Sequence, residues 1–122
     1  MTRSLITVTS CLALASGCFE RTADEREASR LCQAYARSFA EGAALRCQRG
    51  DFESNLRAFR AAAGVGQSCE RVRRVRDPHE LEEYCFPWVS GQADCPLFDD
   101  PRAYIQALPD ACRGQLLLQG DG

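Results

Sequence analysis

"DEREASRLCQAYARSFAEGAALR", residues 24–46, sets Ala28, Leu31, Cys32, Tyr35, Phe39 and Ala43 at intervals of three and four, with Arg30, Gln33, Arg37 and Glu41 between them. Side chains at that spacing share one face of an α-helix, because each residue turns the chain by about 100°. The stretch predicts an amphipathic helix reaching about Arg46. Gly42 lies inside it and costs on the order of 1 kcal/mol relative to alanine, which marks where a break would fall.

Downstream, Gly50-Asp51 supplies a turn and an N-cap. Phe52, Leu56, Phe59 and Ala63 then make a second apolar stripe, closed by Gly64 and Gly66. Cys69, Val72 and Val75 suggest a short third helix. Asp77-Pro78-His79-Glu80 opens a fourth, with Asp77 as cap, Pro78 in the first turn and Glu80 reaching back as in a capping box. Pro87 ends it. Asp99-Asp100-Pro101 repeats the opener before Tyr104, Ile105 and Leu108, and Pro109 interrupts that fifth helix. No window sustains period-two alternation, so the expected fold class is all-α: a small bundle of four to five short helices stapled by disulfides.

The N-terminus has Arg3 as its only charge, followed by an uncharged run from Ser4 to Phe19, the layout of a secretory signal. That run is too short and too rich in Ser and Thr to span a bilayer. Ala13-Leu14-Ala15 suits ordinary signal peptidase, which would release a soluble protein starting at Ser16. Ala15-Ser16-Gly17-Cys18 resembles a bacterial lipobox, in which Cys18 becomes the lipidated first residue. Cysteine parity favours the lipobox. Of eight cysteines, Cys11 is lost either way, and lipidating Cys18 leaves an even set of six. The expected organisation is a lipoprotein signal at 1–17, a tether at 18–24 and one helical, disulfide-rich domain at 25–122. Removing Arg3 with the signal leaves 14 arginines, and no lysine, against 17 carboxylates, so no basic field suggests nucleic acid as a partner.

The six remaining cysteines allow many connectivities, which geometry ranks. Cys69 and Cys85 are equidistant from Asp77, so an antiparallel helical hairpin would pair them. Cys32 and Cys47 are too far apart along a continuous helix, about 22 Å, to bond each other. The favoured remainder is Cys32 with Cys112 and Cys47 with Cys95, stapling the fifth helix to the first. The rival joins Cys32 to Cys69 across the first hairpin. Metal is not expected, since no Cys-x-x-Cys pair occurs and export favours disulfides; no cofactor is expected either.

His79, the only histidine, is flanked by Asp77, Glu80, Glu82 and Glu83. Acid-base work there would need a cleft and a nucleophile, and a surface residue in a first turn is the simpler reading. The run Arg71-Val72-Arg73-Arg74-Val75-Arg76 would suit anionic headgroups or an acidic partner. Against that, the helical hairpin would set Arg71 near Glu83 and Arg74 near Glu80 and answer much of the charge internally. Trp88, in Phe86-Pro87-Trp88-Val89, is either a contact for a partner or packing over the disulfides.

The lipobox, the six spaced cysteines and the ending "CPLFDDPRAYIQALPDACRGQL" (95–116) resemble small cysteine-rich lipoproteins of unknown function encoded in GC-rich Gram-negative bacteria. The resemblance implies no catalytic residue. It does imply sorting: Phe19, which is not Asp, follows the lipidated cysteine and suggests the outer membrane. The expected function is a lipid-anchored binding or adaptor protein of the cell envelope, its partners the membrane through Cys18 and an envelope component. The alternatives are a small secreted hydrolase using His79 with Asp77 or Glu83, and a secreted inhibitor.

Overall fold

The computed structural model describes residues 21–119; the signal, Cys18 and the first residues of the expected tether lie outside them. Helix α1, Ala23–Ala40, starts on a complete capping box. The Thr22 hydroxyl accepts the Glu25 N–H at 3.1 Å and the Glu25 carboxylate accepts the Thr22 N–H at 3.0 Å. The helix therefore takes in the last residues assigned to the tether. It runs on into a π-helical turn, Glu41–Arg46, so it reaches the expected end. Gly42 does not break it. A Cβ there would stand 2.4 Å from the Val89 carbonyl oxygen, so glycine is what lets the later helical run approach this closely. Helix α2, Phe52–Ala63, is capped by Asp51, whose carboxylate accepts the Ser54 N–H at 2.8 Å, and stops at Gly64 with φ 68°.

The expected third helix is a strand. β1, Val72–Val75, pairs antiparallel with β2, Leu116–Leu118, with Val72 opposite Leu118 and Val75 opposite Leu116. The register shifts between Val72 and Arg74. This bulge turns Val72 and Val75 inward together, although residues three apart on a regular strand face opposite ways. Their spacing reads as helical for that reason. The fold is mostly helical with a small two-stranded sheet, which corrects the all-α expectation.

Helix α3, Pro78–Glu80, opens on Asp77, whose carboxylate accepts the Glu80 N–H at 3.1 Å. Glu80 does not reach back. The Asp77 N–H donates instead to the side-chain oxygen of Gln115 at 2.9 Å, and Glu80 faces Arg76 at 3.4 Å. Nor does Pro87 end the run, which continues through π-helical turns Leu81–Cys85 and Trp88–Gln92. The Phe86 N–H donates to the Leu81 carbonyl five residues back, so the ladder is already offset where proline lacks a donor. Beyond a 3₁₀ turn, Cys95–Asp99, helix α4, Pro101–Ala107, is capped by Asp100; a second 3₁₀ turn, Asp110–Cys112, leads to β2.

The disulfides are Cys32–Cys69, Cys47–Cys95 and Cys85–Cys112. Cys47–Cys95 coincides with the favoured pairing. The other two favoured pairs, Cys69–Cys85 and Cys32–Cys112, do not form, and the rival Cys32–Cys69 does. The cause is the strand: extended chain rises about 3.3 Å per residue, twice the helical value, so Cys69 is carried away from the Asp77 corner and lands on α1. Cys85 then meets Cys112 in the turn before β2. Leu31, Val65, Val72, Leu81 and Val89 are fully buried around Cys32, Cys69 and Cys85. This core and these three disulfides lie within residues 21–119. No helix among the described residues is long and apolar enough to cross a membrane.

Candidate functional site

Tyr35 and Phe39, one turn apart on α1, form the floor of an open groove of about 420 Å³. One wall is α2, where Ala58 and Ala62 leave room and Phe59 fills the base. The other is the segment from Leu97 to Leu108, which presents Phe98, Tyr104 and Ile105. Gln115 and Leu116 close one end. The rings interlock: Phe39 lies 5.6 Å from Phe59, 5.4 Å from Phe98 and 5.5 Å from Tyr104, and Tyr35 lies 4.8 Å from Phe59. Disulfide cysteines Cys95 and Cys112 bracket the second wall, one bound to α1's end and the other to the α3 run. The wall is thus held covalently at both ends.

The amide side chains of this lining are already committed. Asn55 donates to the Arg49 carbonyl at 2.7 Å and the Asp51 carbonyl at 2.8 Å. Gln115 donates to the Ala111 carbonyl at 2.8 Å while accepting from Asp77. Burial pushes the Tyr35 phenol up to about 12 and the Tyr104 phenol further still, the latter helped by Tyr35 nearby. Both stay uncharged at neutral pH. The Tyr104 hydroxyl is buried without a hydrogen-bond partner. Among the described residues no carboxylate, imidazole or free thiol lines the groove, so what it offers is apolar contact.

The residues singled out from the sequence are dispersed. His79 is exposed, 6.4 Å ring to ring from Tyr84, and lines neither the groove nor the molecule's second hollow. Asp77 is spent on capping, and Glu83 is exposed. The Arg run is divided by its strand. Arg71 donates to the Gly64 carbonyl at 2.9 Å, Arg73 pairs with Glu25, and Arg76 bonds Glu80 and the carbonyls of Asp110 and Arg113. Arg74 is exposed with no ion-pair partner among the described residues. The expected pairs Arg71 with Glu83 and Arg74 with Glu80 are absent, because both assumed a helical hairpin. Trp88 is half-buried against the core with its ring 6.0 Å from Tyr104, so it packs behind the groove wall.

The groove itself was missed in the sequence. Its aromatics read as ordinary core, and the one available signal is the alanine-rich face of α2 lying opposite an aromatic segment. No protein family, curated protein or solved structure matches the chain, so the chemistry of the lining carries the functional argument.

Proposed function

We propose that the protein is a binding module of the cell envelope, anchored through lipid on Cys18, whose groove takes the hydrocarbon part of an apolar ligand. The observation that carries the reading is a groove within the volume range of small-molecule sites whose polar side chains are all hydrogen-bonded internally or buried. An inserted peptide backbone would leave its N–H and C=O groups unmatched there, whereas a hydrocarbon chain has none to match. Three disulfides among six cysteines support an oxidising, extracytoplasmic setting. Phe19 after the lipidated cysteine favours the outer membrane. The dispersal of His79 from either concavity gives the hydrolase reading no support.

The test uses Trp88, the only tryptophan, as reporter beside Tyr104. Titration of the mature domain with a long-chain fatty acid should shift its emission saturably. Ala62→Phe, at an exposed position on the α2 wall, should fill the groove and weaken binding at least about tenfold while leaving the fold intact. Equal binding by both proteins, or none by the wild type, would overturn the reading.

A further inference from the structure

A second hollow, about 660 Å³, opens on the opposite side of α2 from the apolar groove, toward the helix's C-terminal end. Arg57, Arg60 and Arg71 line it, together with Gly64, Gly66 and Gln67, and no carboxylate among the described residues does. Arg57 spends one donor on the Ser54 hydroxyl at 3.2 Å, and Arg71 one on the Gly64 carbonyl at 2.9 Å. The Nε of Arg60 is buried with no partner. None of the three has an ion-pair partner among the described residues, although six such pairs form elsewhere. The Glu70 carboxylate lies beside Gly66, a residue of the lining, but it is held by the Ser68 N–H and hydroxyl, and Arg21 lies close enough to act on its charge. Three arginines therefore line one hollow with no carboxylate within ion-pair distance of any of them among the described residues, Asp51 lying near enough only to act on the charge of Arg57, on a chain whose net charge is −2.

We infer that Arg57, Arg60 and Arg71 form a binding site for the phosphate group of an anionic ligand. Each planar guanidinium matches two oxygens of a tetrahedral oxyanion, and three of them surround one phosphate with charge-assisted hydrogen bonds. The hollow exceeds a bare ion in size, so it has room for the ester that carries the phosphate. Position favours a lipid headgroup as that ester. The Arg21 guanidinium donates to the carbonyl of Glu70, the residue before Arg71, at 3.0 Å, which ties the start of the described chain to the neighbourhood of the hollow. Cys18 is three residues before Arg21, a reach of at most about 11 Å. The headgroup source rests on the anchor reading; the phosphate site does not.

The domain beginning at Phe19, without lipid, separates the two. It is titrated with inorganic phosphate in one arm and with phosphatidylglycerol vesicles in the other, against the Arg57→Gln/Arg60→Gln/Arg71→Gln variant and an Arg74→Gln control. Saturable binding in either arm, weakened at least tenfold in the triple variant and unchanged in the control, is expected. Vesicle binding that falls as salt is raised identifies the headgroup, and phosphate binding alone identifies a soluble ester. If the triple variant fails to fold, Arg57→Gln/Arg60→Gln, which keeps the Arg71 bond to Gly64, takes its place. Absence of binding in both arms, or binding that survives these substitutions, overturns the site.

Discussion

Gly42 shows how one residue joins two elements. On propensity alone, alanine at a helical position is better than glycine by about 1 kcal/mol. Here the added methyl would meet the Val89 carbonyl oxygen at 2.4 Å and the Phe98 ring at 3.0 Å, and a backbone carbonyl cannot swing aside as a side chain does. Gly42→Ala should therefore destabilise by about 1–3 kcal/mol, the usual cost of overpacking. Thermal unfolding will check this; a stabilised variant would mean that the two segments part easily. Gln115 has a comparable role. It is 1% exposed, bonds Asp77 and Ala111 through its side chain, and accepts the Arg76 N–H at 2.8 Å on its carbonyl. Arginine acts similarly at helix ends: Arg113 spans the Leu108 and Gln106 carbonyls at 2.9 Å each, and Arg46 takes those of Ser90 and Ala93. A planar fork reaches two carbonyls at once, which a lysine ammonium does less rigidly.

The helices are set at their first turns. Glu25 is held below the ordinary glutamate value by the Thr22 N–H and then by Arg73, and Asp51 below the ordinary aspartate value chiefly by the Ser54 N–H. A lowered carboxylate stabilises the fold above its ordinary value, 4.5 for glutamate and 3.8 for aspartate, and loses that contribution as pH falls through the lowered one. The unfolding midpoint should thus be level from about pH 7 to 5 and fall below about pH 4.5. Glu25→Gln should give a lower midpoint at neutral pH and a shallower acid decline; an unchanged slope would show that the cap does not couple to folding. The caps at Asp51, Asp77 and Asp100 were legible in the sequence because a cap and its partner lie within three residues. β1 was not legible, since its partner strand lies some forty residues away and its bulge mimics helical spacing.

Across the whole molecule the three disulfides close overlapping loops, so every residue from 32 to 112 lies inside at least one of them. Each contributes roughly 2–4 kcal/mol, a large part of what holds a domain of this size. Their consequences should differ. Cys32 and Cys69 are fully buried in the core, so replacing both with alanine should prevent stable folding. Cys47 is buried but outside the main core cluster and Cys95 is only partly buried, so their removal should leave a folded domain whose second groove wall is freed at one end. Cys47→Ala/Cys95→Ala should therefore keep helical circular dichroism and lose fatty acid binding. Retention of full affinity would mean that the wall is held by packing alone.

What the sequence by itself determined is whatever closes within a few residues. The apolar stripe of α1, the stripe and caps of α2, the Asp-Pro openers and the even set of six cysteines were all legible, because helical turns and caps are completed by neighbours three or four positions away. The tertiary structure alone decided the strand, two of the three disulfide partners, the need for glycine at 42 and the aromatic groove. Each depends on segments dozens of residues apart arriving side by side, and local spacing carries no information about which distant segment will arrive.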